Sequence, residues 1–263
     1  MGKNSHQHVL KTAIVIGAGN VATHLSKAIK SSGIEIIQIY SRTIRSAQIL
    51  ANEIECEYTN DIQNLRLADY FFYCVKDDIL KEIISQNPHK NGIHIHTAGS
   101  LDLSVFETIK QCGVLYPMQT FSKDKPVLFS EIPLFVEGNN KETQTQIQTI
   151  AQNISRHVTI CNSKSRQALH LAAVFCCNFP NHLYALADNL LKENGLDFSL
   201  MLPLIKETTE KIQTISPKEA QTGPASRHDH SILFKHLLAL KNDKKLTEIY
   251  TLLSNSIMDS TEK

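Results

Sequence analysis

The sequence lacks tryptophan, has no Cys-x-x-Cys pair and contains no apolar run of the length that crosses a membrane. A spanning helix needs roughly 18 apolar residues in succession, whereas the most apolar stretch, residues 169–179, is interrupted by His170 and Asn178. An excess of one charge is also lacking, because 27 Lys and Arg stand against 26 Asp and Glu. The composition therefore argues against a membrane protein and against a nucleic-acid binder that relies on positive charge. It favours a small molecule or a second copy of the chain as the partner.

The six cysteines are scattered, and most of them lie in apolar runs. Neither a disulfide framework nor a zinc site is expected, since free cysteine packs as a small apolar side chain. The N-terminus MGKNSHQHVLK is polar and has no apolar signal core, which predicts a cytoplasmic protein. We interpret its His6 and His8 as part of a frayed end and not as metal ligands, so no metal is expected.

Short apolar runs alternate with longer amphipathic stretches over the first 160 residues. The runs rich in β-branched or aromatic residues predict buried strands, and the amphipathic stretches predict helices. The predicted strands cover residues 13–16, 34–40, 70–75, 93–97, 114–118, 133–136 and 157–160, and the predicted helices cover 20–31, 44–52 and 141–154. This order is typical of an α/β protein with a doubly wound, parallel Rossmann-type sheet.

The strand pattern does not return after residue 162. Apolar residues at helical spacing predict helices over 163–194, 201–215, 229–240 and 246–258. We therefore predict two domains, a Rossmann-type domain over residues 1–161 and an all-helical domain over residues 162–263.

A glycine-rich turn follows the first predicted strand and opens the first predicted helix, with the sequence Gly17-Ala-Gly19-Asn20-Val21-Ala22. Gly17 suits the tight turn, Gly19 lets the backbone approach a pyrophosphate, and Ala22 permits close packing of helix on strand. The N–H groups at the start of the helix, at Asn20 and Val21, would then face the phosphates. The pattern predicts a dinucleotide site. The alternative is a tight turn that binds nothing.

The end of the second predicted strand indicates which dinucleotide binds. An NAD site usually has an Asp or Glu here, about 20 residues past the fingerprint, to hold the ribose hydroxyls. This chain has Ser41, Arg42 and Thr43 instead, with Arg45 close behind. A guanidinium and two hydroxyls suit the 2′-phosphate of NADP. The alternative is that Arg42 is an ordinary solvated loop residue.

Two further strands end in loops that should border the nicotinamide, because ligands of open α/β sheets lie outside the carboxyl ends of the strands. Val75 is expected to pack on the nicotinamide ring, and Ala98 to lie in the second loop. Lys76 faces either the substrate and phosphates or plain solvent. His94 is interpreted as a structural residue.

The long predicted helix over 163–194 combines an apolar body with a polar stripe. His170, Val174, Asn178 and His182 are four residues apart, so they form one slowly turning face. Pro180 cannot donate a backbone hydrogen bond and should kink this helix. We expect His170 and Asn178 to flank one bound substrate. The alternatives are a core histidine and an asparagine that caps backbone groups at the kink.

The last chemical signal is a Gly-Pro turn that leads to Arg227 and Asp229. Asp229 is placed to cap the helix that follows. Arg227 would then grip a substrate carboxylate or phosphate near the start of that helix, or it would form an ion pair between domains. His228 and His230 are two residues apart and cannot share a helix face as metal ligands.

With these residues the chain resembles the superfamily of pyrroline-5-carboxylate reductases and β-hydroxyacid dehydrogenases. Within it, the chain is most similar to a group of Rossmann-plus-helical candidate NADP oxidoreductases, from residue 13 to about residue 240. The matching stretches are Gly17-x-Gly19-x-x-Ala22, Ser41-Arg42-Thr43, Tyr116-Pro-Met-Gln-Thr-Phe121, His170-x-Ala172-Ala-Val-x-x-x-Asn178-Phe179 and Thr222-Gly-Pro-x-x-Arg227-x-Asp229. The resemblance implies the two-domain fold, NADP as cofactor and a homodimer that shares its long helix.

Two departures from these families bear on the chemistry. Pyrroline-5-carboxylate reductases have a T-S-P-G-G-T-T stretch, of which Thr222 and Pro224 match here while the residues after Pro224 differ. β-Hydroxyacid dehydrogenases have a catalytic lysine four residues before an asparagine, and Val174 occupies that position before Asn178. His170, one turn earlier, is either the substitute proton donor or a sign of different chemistry.

Two functions follow from these residues. The first is NADP-dependent hydride transfer to or from a small anionic carbonyl or imine compound, in a cleft between the domains. His170 would act there as the acid, Asn178 would polarise the reacting group and Arg227 would hold the anion. The second is a non-catalytic dinucleotide-binding sensor or docking protein that dimerises through its helical domain.

Overall fold

A computed structural model describes residues 10–261, so His6 and His8 lie outside the described residues. Its core is one eight-stranded sheet in the order β3-β2-β1-β4-β5-β6-β7-β8. The strands are β1 (Thr12–Ile16), β2 (Glu35–Tyr40), β3 (Glu57–Thr59), β4 (Tyr70–Tyr73), β5 (Ile93–His96), β6 (Cys112–Pro117), β7 (Leu134–Gly138) and β8 (Val158–Ile160). The order β3-β2-β1-β4-β5 runs outward from β1 in both directions, so the predicted doubly wound Rossmann-type sheet is confirmed.

Four helices flank this sheet, and a longer helical region follows it. The first four are α1 (Asn20–Ser31), α2 (Ile44–Ile54), α3 (Asp77–Gln86) and α4 (Lys141–Ile154). Then come α5 (Ser163–Ala173), a π-helical segment (Val174–Asn178), α6 (Phe179–Glu193), α7 (Leu202–Lys211), α8 (His230–Ala239) and α9 (Lys244–Thr261). Within residues 10–261 no strand follows Ile160, as predicted. No helix of this part of the chain has both the length and the apolarity to cross a membrane.

The sheet is not parallel throughout, which corrects the predicted all-parallel arrangement. β7 pairs antiparallel with β6, and β8 is parallel to β7. A parallel return needs a crossover connection, usually a helix, whereas residues 118–133 between β6 and β7 contain only one short 3₁₀ turn. The chain therefore comes straight back along β6.

Alternating side chains of the strands fill two hydrophobic clusters, one on each face of the sheet. Ala13 and Val15 of β1 belong to the cluster that includes residues of α1, α2 and α4. Ile14 and Ile16 belong to the cluster that includes residues of α3. This alternation follows from the two-residue period of a strand. Because both faces are buried, the strand sequences are continuous apolar runs.

The chain divides into two compact units, of which the first ends at Asn178 and the second begins at Phe179. The first unit therefore holds the sheet together with α5 and the π-helical segment. The second unit holds α6 to α9, and among its described residues Ala225 and Leu233 are the buried hydrophobic side chains. The functional division into domains over 1–161 and 162–263 stays a prediction.

Candidate active site

The turn between β1 and α1 has the geometry of a phosphate-binding turn. Gly17 has a φ of 125°, and a Cβ atom on it would lie 2.2 Å from the carbonyl oxygen of Cys74 at the end of β4. Gly19, by contrast, has open space in front of it, with no heavy atom within 4 Å of the position of a Cβ atom. The turn thus packs tightly against the sheet at Gly17 and leaves the outer side of Gly19 clear.

The N-terminus of α1 keeps its backbone donors unoccupied by side chains. Gly19 is the N-cap, makes no side-chain capping bond, and the first turn contains no acidic residue. The first N–H groups of a helix have no partner within the helix and favour an anion. Those of Asn20, Val21 and Ala22 are therefore suited to a pyrophosphate. Ala22 itself is buried and allows α1 to approach the sheet, as the sequence predicts.

The side chain of Asn20 bonds to the loop after β6, while its backbone N–H stays with the predicted phosphate site. Its Nδ2 donates to the carbonyl oxygen of Phe121 at 2.7 Å, in the loop after β6. One turn along α1, His24 bonds through Nε2 to the carbonyl oxygen of Ser122 at 2.9 Å and stacks on the ring of Phe121. These contacts hold the loop after β6 against α1. Sequence reasoning missed His24, because only the fold brings it to that loop.

The residues predicted to read the 2′-phosphate lie together after β2. Ser41 donates from its backbone N–H to the carbonyl oxygen of Thr59 at 3.1 Å, and Thr43 is the N-cap of α2 without a side-chain capping bond. Arg42 and Arg45 are exposed and form no ion pair with another described residue. Two guanidinium groups beside two hydroxyls are therefore available to an anion here.

The residues that follow β4 and β5 differ in their burial and in whether they line a cavity. Val75 and Ala98 are partly buried and pack against the hydrophobic cluster on the α3 face. Lys76 is the exposed residue that precedes α3. Thr97 is the residue of this pair of loops that lines the cavity described next, with its hydroxyl donating to the carbonyl oxygen of Tyr73 at 3.2 Å. The roles of Val75, Lys76 and Ala98 stay predictions.

A cavity of about 590 Å³ opens beside the glycine-rich turn, within the first unit. Its wall comes from the start of α1, the end of β5, the end of β6 with the loop after it, and the helical stretch formed by α5 and the π-helical segment. The lining residues are Val21, Thr97, Tyr116, Pro117, Met118, Gln119, Thr120, Phe121, Leu169, His170, Ala172, Ala173, Cys176, Cys177 and Asn178. The structure therefore brings His170 and Asn178 onto the wall of one cavity, next to the first turn of α1.

His170 is held at this wall by two neighbours that the sequence did not single out as site residues. Its Nδ1 lies 3.2 Å from the hydroxyl oxygen of Tyr116. A Cβ atom on Gly99 would lie 2.7 Å from the same Nδ1, so the ring packs directly on the backbone there. Burial raises the pKa of the Tyr116 hydroxyl, while the charge of Arg166 opposes this rise. Tyr116 thus remains protonated near neutral pH and is a neutral hydrogen-bond partner for His170.

The helix that carries His170 is anchored to the sheet by a buried ion pair one turn earlier. Arg166 is fully buried and contacts the carboxylate of Glu137 on β7 and the carbonyl oxygen of Leu101. Ser163 strengthens this anchor by donating from its hydroxyl to Glu137 at 2.8 Å. Removing one partner of such a pair would leave a buried charge. The cluster therefore sets the position of α5, and with it that of His170.

A π-helical segment over Val174–Asn178 lies directly before Pro180, where the sequence predicts a kink. Pro180 cannot donate to the carbonyl oxygen of Cys176, so a wider turn there relieves the helix. Segments of this kind are frequent at functional sites. Here the segment turns Cys176, Cys177 and Asn178 toward the cavity, and all three are exposed.

Arg227 belongs to the second unit. It is exposed in the turn that precedes α8, where Asp229 is the N-cap and accepts from the backbone N–H of Ile232 at 3.2 Å. This bond, together with that from Ser231, lowers the pKa of the Asp229 carboxyl, and the charge of Arg227 adds a smaller effect in the same direction. The predicted capping role of Asp229 is thus confirmed. The role of Arg227 as an anion grip stays a prediction.

Histidine and acidic residues do not assemble into a metal site in the part of the chain that the structure describes. His94 is fully buried, lies 2.8 Å through Nδ1 from the hydroxyl of Tyr73, and stacks on Phe71. Burial lowers the pKa of its imidazole to about 4, so it is neutral in the folded protein near neutral pH. These contacts fit the structural role that the sequence suggests.

Comparison with known proteins gives two family matches. Residues 132–257 match the family described as Domain of unknown function (DUF2520), and residues 2–93 match the Shikimate / quinate 5-dehydrogenase family. No curated protein matches the chain.

Three solved structures share the fold over nearly the whole chain. A candidate NADP oxidoreductase from Bacteroides fragilis is 43% identical, with a TM-score of 0.89, and the alignment covers 95% of this chain and 98% of that one. A protein from Thermotoga maritima is 22% identical, with a TM-score of 0.70 and coverage of 95% and 98%. A 1-pyrroline-5-carboxylate reductase from Streptococcus pyogenes is 16% identical, with a TM-score of 0.60 and coverage of 97% and 99%. The last two show similarity of fold alone.

Proposed function

The chain belongs to the family of Rossmann-type candidate NADP oxidoreductases represented by the Bacteroides fragilis protein, and on that premise we propose that it transfers a hydride between NADPH and a small carbonyl or imine compound that carries an anionic group. The observation that carries this proposal is the cavity beside the glycine-rich turn. Val21 belongs both to the first turn of α1 and to the cavity wall, and His170 lies on the same wall. A dinucleotide on the turn would thus have its reactive end beside a proton-exchanging side chain.

The residues present fit a dinucleotide from its adenosine end to its nicotinamide end. Backbone N–H groups of Asn20, Val21 and Ala22 would hold the pyrophosphate, for which the outer side of Gly19 is clear. Ser41, Arg42 and Thr43 would hold the 2′-phosphate. The nicotinamide supplies the hydride when it is bound. The protein's own task is to position the substrate and to provide the proton.

His170 is the group that would donate this proton. A carbonyl or imine that gains a hydride on carbon must gain a proton on oxygen or nitrogen, and histidine exchanges protons near neutral pH. The Nδ1 atom of His170 is bonded to the hydroxyl of Tyr116, so Nε2 is the ring nitrogen that would contact the substrate. Asn178 would donate from its amide to the reacting group, and Arg227 would hold the anionic group.

A titration with NADPH and a structure of the complex would test this proposal. We expect one NADPH to bind per chain by isothermal titration calorimetry, with the nicotinamide in the cavity and within one substrate's width of His170. A complex in which the nicotinamide lies outside this cavity would overturn the assignment of the active site. An absence of binding would overturn the proposed function.

The preference for NADPH over NADH is expected to depend on Arg42. A hydrogen bond to a charged group contributes roughly 1.5–3 kcal/mol, so Arg42→Ala should weaken NADPH binding by about 10- to 150-fold and leave NADH binding nearly unchanged. Dissociation constants from calorimetry for both cofactors would measure this. Arg156→Ala is the matched control, because Arg156 is an exposed arginine in the connection between α4 and β8, where it is paired with Glu131. Equal losses for both cofactors would mean that Arg42 supports the loop and does not read the phosphate.

A homodimer is the expected assembly, and the second unit supplies the physical reason. Large apolar side chains of this unit are exposed, among them Leu200, Leu204, Phe234 and Leu252. Because exposed apolar surface of this extent favours association, we expect the second unit to be covered by a second copy of the chain. Light scattering at micromolar concentration should give twice the mass of one chain. A monomer mass at that concentration would contradict the prediction.

A further inference from the structure

The wall of the cavity carries no charged side chain at the position where the substrate would react. None of its lining residues is Lys, Arg, Asp or Glu. Apolar groups come from α5 and from the end of β6, including Leu169, Ala172, Ala173, Pro117 and Met118. The hydrogen-bonding side chains of the wall are uncharged amides, hydroxyls and one imidazole, among which His170 and Tyr116 form one bonded pair.

The cation nearest to His170 along α5 is not available to a substrate. Arg166 lies one helical turn before His170, but its side chain is buried and is paired with Glu137 and with the carbonyl oxygen of Leu101. Turning it toward the cavity would leave the Glu137 carboxylate without its charged partner, which is costly for a largely buried pair. The cavity wall therefore offers a carboxylate no cationic side chain other than a protonated His170.

The uncharged wall of the cavity favours some substrates over others, according to the group that is bonded to the reacting carbon. A carboxylate on the adjacent carbon would enter the cavity with the reacting carbon. His170 would there be engaged with the reacting oxygen or nitrogen, and no Lys or Arg lines the wall, so the lost hydration of the carboxylate would be poorly compensated. An alkyl group at the same place would gain from burial against the apolar wall. The difference holds whatever binds the distal end of the molecule.

We propose that the substrate is a ketone, an aldehyde or an imine whose reacting carbon bears only uncharged, apolar groups, and that its anionic group stands several bonds away. This inference rests on the proposed hydride transfer at His170 and narrows its substrate class. It excludes 2-oxo acids and 2-imino acids, in which the carboxylate is bonded to the reacting carbon.

Two cavity cysteines provide a measurement of occupancy that needs no turnover. Cys176 and Cys177 are exposed and line the cavity, whereas Cys74, Cys112 and Cys161 are buried and Cys56 is partly buried away from the cavity. The rate at which N-ethylmaleimide labels the protein should therefore report on the cavity, with the labelled residues identified by mass spectrometry. The protein is saturated with 1,4,5,6-tetrahydro-NADP, whose ring is uncharged like that of NADPH and transfers no hydride. The variant in which both Cys176 and Cys177 are replaced with serine should lose the fast labelling phase.

Three matched probes then test the proposal: 2-pentanone is neutral, 2-oxopentanoate carries its carboxylate on the reacting carbon, and 5-oxohexanoate carries its carboxylate at the far end of the chain. We expect 2-pentanone and 5-oxohexanoate to slow the labelling, and 2-oxopentanoate to require a concentration at least about 10-fold higher for equal protection. Protection by 2-oxopentanoate at the same or a lower concentration would overturn the proposal. Failure of all three probes to protect would also overturn it, because the cavity would then not be the substrate site.

Further outcomes of the labelling experiment distinguish an error in the substrate class from an error in the proposed function. Protection by 2-pentanone but not by 5-oxohexanoate would overturn the part of the proposal that gives the substrate a distal anionic group. Leu169→Lys, which places a cation on the wall, is expected to reverse the order of 2-pentanone and 2-oxopentanoate. Leu171→Lys is the matched control, because Leu171 is 60% exposed on the same helix and does not line the cavity. An unchanged order in a folded Leu169→Lys protein would contradict the proposed cause.

Discussion

Replacing His170 with alanine is expected to lower turnover by about 10²–10⁴-fold and to leave NADPH affinity intact, since loss of a general acid affects the chemical step and not the binding of the cofactor. The geometry supports this expectation, because His170 lies on the cavity wall with Nδ1 bonded to Tyr116. The variant loses the proton donor but keeps the pyrophosphate turn and the residues after β2. Steady-state kinetics with an identified substrate, together with calorimetry for NADPH, would measure the two effects separately.

The opposite result would assign His170 to the protein core. In that case His170→Ala would lower the free energy of unfolding by about 1–3 kcal/mol, and the folded fraction would keep its activity. The matched control is His182→Ala, which removes an exposed histidine of the predicted polar stripe in the second unit. A variant with unchanged kcat and reduced stability would remove His170 from the mechanism.

The helices that the sequence predicts best are those with clear local signals. The bounds predicted for α1 and α4, residues 20–31 and 141–154, agree with the structure. Asn140 shows why, since its side chain accepts from the backbone N–H of Thr143 at 2.9 Å and sets the start of α4. Such a signal lies within a few residues of the element that it controls.

The elements that the sequence missed depend on tertiary contacts. β3 is three residues long and has no buried side chain, so it has no apolar pattern and exists because it pairs with β2. α3 is short and is held by three buried residues, Leu80, Ile83 and Ile84. The reversed direction of β7 comes from the connection before it, because a strand's composition does not encode its direction.

The candidate site likewise contains residues that the sequence predicted and residues that only the fold brings together. The sequence placed His170 and Asn178 together because both lie on one helix, where spacing determines which side chains share a face. Tyr116 and Gly99 come from two other segments, and only the fold brings them to His170. The motif around Tyr116 was visible as a family resemblance, but nothing local to it indicated a bond to a residue 54 positions further along the chain.

Replacing each of the two fingerprint glycines with alanine is expected to have a different effect. The change at Gly17 should lower stability, and the change at Gly19 should lower cofactor affinity. Gly17→Ala should destabilise the fold by about 3–5 kcal/mol, because the φ of 125° is unfavourable for alanine and its Cβ atom would overlap the carbonyl oxygen of Cys74. Gly33→Ala is the matched control for conformation alone, since Gly33 has a φ of 87° and open space around a Cβ atom. Its cost should be about 1 kcal/mol. Urea denaturation would measure both.

Gly19→Ala should lower the free energy of unfolding by no more than about 1 kcal/mol, since alanine is a poorer N-cap than glycine but needs no strained backbone here. Gly19 has a φ of −87°, which alanine adopts readily, and a Cβ atom there would contact nothing in the protein. The added methyl group would stand in the space through which the pyrophosphate approaches α1, so NADPH affinity should fall by roughly 10- to 100-fold. The loss of affinity should be equal for NADPH and NADH, because both contain the pyrophosphate. In Arg42→Ala, by contrast, only the affinity for NADPH should fall. Unchanged binding of both cofactors to Gly19→Ala would mean that the dinucleotide does not lie on this turn.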